Sequence, residues 1–340
     1  MITTEEFSKN LLGYNIVDCV VRRRDFFYFI AQEDYTQRAG YKAEGRDPDA
    51  SALIKRIIVW RPDQADGKRW AYGWRKGMDI TIAEFGSVPE DKLVIVDTGG
   101  IVYAVGGGTQ GLEGELPFER SGRYGSVDKL RNIGGELYLA GGNRTVGIRR
   151  GVSDWRWETE RFPLAENEFG SSKIGFRDID GFNTSDIYAV GGHGDVWHFD
   201  GKNWGRVDFP SNQPLRTVCC AGDGNVYVSG YDGITFVGRG SRWRCIAEPA
   251  ISLPFRDLVW YGDRVWATND YGLWWVDPDG VKTTDLPATI TGCAGNLSAR
   301  DGLLLLAGYY GAALLQDGEW KVVFHYAAMH ERSKEDGRTA

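Results

Sequence analysis

Basic charge is in short supply. The 340 residues carry 40 Lys and Arg against 47 Asp and Glu, a formal charge of -7, and the pI is near 5.3. A body of that charge repels a phosphate backbone, which excludes general nucleic-acid binding but not a local basic patch. Histidine is scarcer still: His193, His198, His325 and His330 are all there are. The five cysteines, Cys19, Cys219, Cys220, Cys245 and Cys293, are odd in number and form no CxxC. Buried, reduced structural thiols are the simpler reading. Cys219 and Cys220 are neighbours, but neighbouring strand residues face opposite ways, which argues against a redox pair.

Long apolar runs are also missing. No stretch approaches the roughly 18 apolar residues of a membrane span. The start, MITTEEFSKNLLGYN, has Glu5, Glu6 and Lys9 where a secretory core would be apolar. The expectation is a cytoplasmic protein with no membrane association.

What is abundant is glycine, 46 residues, and aromatic side chains, 13 Trp, 16 Tyr and 15 Phe. Together they suggest many strands and many tight turns. Four tetrapeptides set a period. GGHG, GYDG, NDYG and GYYG begin at Gly191, Gly230, Asn269 and Gly308, each 39 residues after the last. Each follows a short strand-like run: DIYAV, NVYVS, RVWAT, LLLLA. Three are followed by a turn and a Trp: FDGKNW to Trp204, GRGSRW to Trp243, QDGEW to Trp320. Upstream lie FRDI, LRTV and FRDL, with Arg177, Arg216 and Arg256; an earlier copy contains Arg131, Tyr138 and Trp157.

Each unit reads strand, turn, strand, Gly-rich turn, strand, Asp-Gly turn, strand. Four strands in about 39 residues is the size of a propeller blade and leaves no room for the helices of a doubly wound fold. Second strands counted at Phe27, Tyr103, Tyr138, Tyr188, Tyr227, Trp266 and Leu305 give seven. The expected fold is an all-β, seven-bladed β-propeller with four-stranded antiparallel blades. Six blades or an open ring are the alternatives, since the unit around Tyr103 is the least regular. One domain is expected over 1–325, with a short helix over about 3–12 started by a Thr-x-x-Glu pattern, and a polar tail over 326–340.

FRDIDGFNTSDIYAVGGHGDVWHFDGKNW, from Phe176 to Trp204, resembles the bacterial propeller repeat L-R-x-V/I, S-D-V/I-Y/W-A-V-G, G-x-I/V, H-x-D-G-x-x-W. The likeness is good over 130–324 and weaker over 15–129. The DGxxW turn is similar to the Asp-box turns of sialidase-like propellers, without their leading Ser. The resemblance implies a propeller and leaves activity open.

The repeated Trp are expected to cover seams between blades. The last Gly of each tetrapeptide is expected at positive φ. A phosphate loop would need a helix after it, and a strand follows, so nucleotide binding is discarded. His193, with Asp232, Asp270 and Tyr310 in the matching turns of the other repeats, invites a metal reading, but no ligand spacing of zinc or calcium type is present. No metal and no cofactor are expected.

If the chain has a site, it is the ring of second-to-third-strand turns: His193, Tyr231, Asp232, Asp270, Tyr271, Tyr309 and Tyr310. Arg131, Arg177, Arg216 and Arg256 belong near the same face, either as an anion-attracting mouth or, the preferred reading, consumed in blade-to-blade ion pairs with acids such as Asp178 and Asp257. Departures from the repeat point the same way. Insertions lie at Glu33 to Ser51, with Tyr35, Arg38 and Tyr41, and at Pro163 to Gly175, with Glu166, Glu168 and Phe169. The irregular GGGTQGLEGEL follows Tyr103. All are placed on connections that open on the face of the tetrapeptides, and loops on a rigid scaffold carry function.

No catalytic constellation emerges. The favoured reading is a monomeric, non-catalytic propeller that binds another protein. Its most concrete form is a bacterial immunity protein that occludes a basic toxin enzyme, a choice made on class and charge alone. The alternatives are a carbohydrate-binding or carbohydrate-active propeller, which would need paired carboxylates, and an assembly or scaffold factor.

Overall fold

Glycine and Asp-Gly turns chop the chain into strands of three to ten residues. The computed structural model describes residues 2–37, 47–107, 109–118, 125–168, 170–171, 173–246 and 251–339. Side chains at 37, 109, 166 and 333–339 lie outside the description. The strands form seven sheets, each of four strands hydrogen-bonded in chain order. Blades 1 to 7 cover 14–75, 81–115, 127–157, 178–206, 215–245, 257–283 and 296–325. The fold is a seven-bladed β-propeller with four-stranded antiparallel blades. Every blade is a contiguous stretch of chain, so no blade borrows a strand from the other end of the sequence.

Burial follows strand position. Every residue of the second strands Lys92–Asp97, Val226–Gly230 and Leu303–Gly308 is buried. That is why these runs are apolar, or small, at nearly every position rather than at alternate ones. The outermost strand Trp70–Arg75 buries Trp70 and exposes the other five residues.

Blade 2 departs from the expected register. Tyr103 lies on its third strand, Ile101–Gly106, and pairs with Ile95 of the second strand, Lys92–Asp97. Gly107 therefore falls on the third-to-fourth connection, at the end of the blade opposite the second-to-third turns. The Tyr-x-Val-Gly-Gly pattern resembled a second strand because both strands here are apolar and glycine-terminated.

The chain divides into two compact units, one made of Met1–Thr81, Thr268–Leu273 and Thr284–Ala340, the other of Ile82–Ala267 and Trp274–Thr283. The first holds blades 1 and 7 and both chain ends. Its core joins Phe7, Leu11, Phe27, Phe29 and Trp70 to Leu303, Leu305, Phe324 and Met329. Helix α1, Thr4–Asn10, starts with a capping box: Glu6 N donates to Thr3 Oγ1 at 3.1 Å and Thr3 N to Glu6 Oε2 at 3.0 Å. A short helix α2, Ala288–Thr291, precedes blade 7. Where a polar tail was expected, Tyr326–Thr339 forms helix α3. Met329 is buried, and α3 packs against α1.

The second unit is a series of apolar seams, each shared by consecutive blades. Trp157, Trp204 and Trp243 pack half-buried against the seams of blades 2–3, 3–4 and 4–5 respectively. That is the structural role their spacing suggested.

Candidate functional site

The seven turn residues all lie between second and third strands. In the first unit, Asp270 and Tyr271 join Arg264–Asn269 to Gly272–Asp277, and Tyr309 and Tyr310 join Leu303–Gly308 to Gly311–Gln316. Their tyrosines are among the most exposed large side chains of the protein: Tyr271 80%, Tyr309 52% and Tyr310 57%. Tyr309 and Tyr310 meet edge to face, 5.3 Å between centroids. In the second unit, exposed His193 occupies the turn after Asp186–Gly191, and Tyr231 and Asp232 that after Val226–Gly230. His193 N donates to Lys173 O at 2.9 Å, so this turn is backed by the inserted loop 163–175.

The glycines have two different causes. Gly194 and Gly233 sit at φ 68° and 70°, as expected, and Asp232 joins them at 60°. Gly311 does not have positive φ; a Cβ there would lie 2.5 Å from Phe324 O, so close approach of backbone requires it. Asn269 acts through its side chain, with Oδ1 accepting from Tyr271 N at 2.8 Å.

The arginines do not form one set. Arg131 pairs with Tyr138 in the middle of its strand, whereas Arg177 precedes Asp178, the first residue of Asp178–Asn183. The matching tripeptides concealed this shift of register. Arg131 Nη2 donates to both oxygens of Asp178, at 2.9 and 2.8 Å, and Nε to Ile179 O at 3.3 Å, an ion pair from blade 3 to blade 4. Asp178 also accepts from Thr217 Oγ1 at 2.7 Å and Val218 N at 3.1 Å. Arg177 pairs with Asp128, and Lys129 with Asp257. Arg216 acts on Asp128 through its charge, and Arg256 also has an interaction partner. For Arg131 and Arg177, pairing between blades is what the structure shows; neither is a free anion receptor.

Of the insertion residues, Tyr35 begins a short 3-10 turn, Tyr35–Gln37, and is half-buried. Glu168 Oε2 accepts from Ala165 N at 2.9 Å and so closes its own loop. Arg38, Tyr41 and Phe169 lie outside the described residues, as does the side chain of Glu166.

No family model matches the chain. Over 219 residues it is 31% identical to the immune protein Tsi7 of Pseudomonas aeruginosa, covering 64% of this chain and 70% of that protein. The chain belongs to the Tsi7 immune-protein family. Solved propellers share the fold at low identity. They are the WD40 domain of Doa1 (TM-score 0.57, 10% identity, 87% of this chain and 90% of that one) and YCF48 bound to D1 peptide (0.58, 13%, 90% and 94%). PorZ, a surface component of the type-IX secretion system of Porphyromonas gingivalis, is a third (0.58, 11%, 92% and 38%).

Among the described residues of this Tsi7-family chain, no group of three or more His, Cys, Asp or Glu is placed to hold a metal ion. Among the same residues, no helix is long and apolar enough to cross a membrane. Burial pushes the Cys219 and Cys220 thiols well above their usual range and that of Cys293 up to about 12, so none of the three supplies a thiolate nucleophile. Cys245 departs from the expectation of buried thiols and is exposed.

One residue with an exacting position escaped the sequence reading. Arg144, in GGNRT, occupies the place that blade 4 gives to Gly194, and it has φ 54°. Its Nε and Nη2 donate to the two oxygens of buried Asp195 at 2.8 and 3.0 Å, and Nη1 to Pro163 O. The signal was present: an arginine where the repeat demands glycine.

Proposed function

We propose that this chain is an immunity protein that binds a protein toxin and blocks it by occlusion, without catalysis. The observation that carries this reading is the 31% identity to an immune protein over 219 residues. Three further features support it. Exposed tyrosines stand on short turns, where little conformational entropy is lost on binding. The thiols that burial has neutralised and the cations spent in ion pairs leave a body suited to recognition. The charge of -7 favours a basic partner. The contacts are made by the exposed second-to-third turns, Tyr271, Tyr309 and Tyr310 in the first unit and His193, Tyr231 and Asp232 in the second; the protein acts as a cytoplasmic monomer.

The test is co-expression with a candidate toxin sought among the genes that flank this chain's own. Growth should be rescued, and light scattering on the purified pair should give a one-to-one complex. A toxin that kills equally with and without the chain, and no complex in solution, would sink the reading.

A further inference from the structure

We propose that Arg144 is a positioning residue that holds loop 163–175 as a preformed docking element for the protein partner; this rests on the toxin-binding reading above. The loop is surplus to the fold. Blades 4 and 5 are joined with 12 positions from Trp204 to Arg216, whereas 20 separate Trp157 from Arg177. The extra residues add surface, not core: Pro163, Ala165, Asn167 and Lys173 are exposed.

A free loop of that length would be costly to order on binding. The described residues of this one are tied at several points. Its roots, Phe162 and Phe176, are 1% and 0% exposed and stack edge to face at 5.1 Å. Gly170 N donates to Asn143 Oδ1 at 2.9 Å, and Gly175 N to Asp195 Oδ2 at 3.2 Å. Lys173 O accepts from His193 N, and Arg144 holds Pro163 O. Three of these ties, at Pro163, Gly170 and Gly175, converge on two residues at positive φ, Asn143 and Arg144, and on the Asp195 that pairs with Arg144.

Left-handed backbone disfavours an L side chain, and a glycine would fit without strain. The turn keeps arginine, because only a guanidinium can grip both Asp195 oxygens and still reach a carbonyl of the loop. Strain at a non-glycine residue, offset by a buried ion pair and spent on a surface loop, marks the loop as something whose shape matters. Beside it opens a groove of about 730 Å³ lined by His193, Arg206, Asp208, Phe209 and Asn212. Held in place, loop and groove form one surface for a partner to read.

Two variants test this. Arg144→Lys keeps a cation beside Asp195 but cannot serve Asp195 and Pro163 together. Arg144→Gly with Asp195→Thr removes both charges, giving the turn its glycine and the strand the Thr that blade 3 carries at Thr145. Affinity for the toxin that the co-expression test identifies, melting temperature and hydrogen exchange at Gly170 and Gly175 are measured together. We expect both variants to melt within about 5 °C of the parent. Both should exchange faster at the two glycine amides and bind roughly tenfold or more weakly. Parental affinity despite faster exchange, or unchanged exchange, overturns the proposal. If the parent itself does not bind the toxin, the toxin reading falls before any substitution is made, and the docking role with it.

Discussion

The ring of Phe7, near the start of the chain, stands edge-on to that of Tyr326, near its end, with 5.3 Å between centroids. The Tyr326 hydroxyl reaches back to Tyr14 O, and His330 adds a second edge-to-face contact with Phe7 at 5.9 Å. Blades 1 and 7 are each built from their own four strands, so strand exchange does not join the two chain ends. An aromatic contact between helices α1 and α3 does so instead. Deeper in the same unit, Val21 N donates to Ser298 Oγ at 2.9 Å between the first strands of the two blades.

Phe7 is completely buried, so Phe7→Ala is expected to cost about 3–5 kcal/mol, with Phe7→Leu costing much less because it refills most of the cavity. Urea unfolding measures both. A loss below about 1 kcal/mol for the alanine variant would mean that the helix pair is peripheral to the stability of blades 1 and 7.

Both oxygens of Asp178 accept from Arg131 Nη2, and the carboxylate also accepts from Thr217 Oγ1 and Val218 N. Its side chain is 1% exposed and that of Arg131 12%. Asp178→Ala strands a buried guanidinium and should cost about 3–5 kcal/mol. Replacing Arg131 and Asp178 together by apolar residues of similar volume should cost less than the single change. A double-mutant cycle by chemical denaturation decides this; strict additivity would mean that the pair does not interact.

Asp180 lies one turn of the pleat away on the same strand, and Cys220 N donates to its Oδ2 at 2.8 Å. Burial pushes its carboxyl from an ordinary 3.8 up to about 6, outweighing the pull of Arg131. A raised carboxyl binds its proton more readily in the folded chain than in the unfolded one. The cost of burying its charge is therefore complete above pH 6 and is relieved as pH falls from 6 towards 3.8. Asp180→Asn should stabilise the protein at pH 8, by at most about 3 kcal/mol, and the gain should shrink at pH 5. Unfolding at the two pH values is the measurement. A variant less stable than the parent at pH 8 would show that attraction to Arg131 outweighs burial.

Period and turn chemistry made the blades legible before any coordinates. Asp-Gly turns, the 39-residue spacing and the apolar second strands are local features, and local features survive in sequence. What failed was register. Tyr103 reads as a second-strand residue and Arg131 as the counterpart of Arg177, because short matching words carry no information on which residue faces which across a ladder. The turn residues of the candidate site were found by counting, since exposure of Tyr271, Tyr309 and Tyr310 follows directly from their place in two-residue turns. Arg144 was not found. Its role depends on Asp195, 51 residues away, and only the fold brings them together.

Tyr271, Tyr309 and Tyr310 sit on tight turns of the first unit and offer most of their area to solvent, which core packing does not require. Exposed side chains of this kind contribute little to stability, so changing each to Ala should alter it by no more than about 0.5 kcal/mol. Tyr309 is the least free of them: it bonds Asn15 and touches Tyr310, and burial raises its hydroxyl above the ordinary range, helped by the nearby charge of Asp34. In a protein interface the balance reverses, because a tyrosine brings large apolar area with few torsions to freeze. The triple alanine variant should therefore keep its melting temperature and lose at least about 2 kcal/mol of toxin affinity, roughly 30-fold. Tyr→Phe changes at the same positions separate ring from hydroxyl: retained affinity assigns the contact to ring area, lost affinity to hydrogen bonding. If the triple variant binds as the parent does, the partner does not use these turns. The loop held by Arg144 would then be the stronger candidate for the contact.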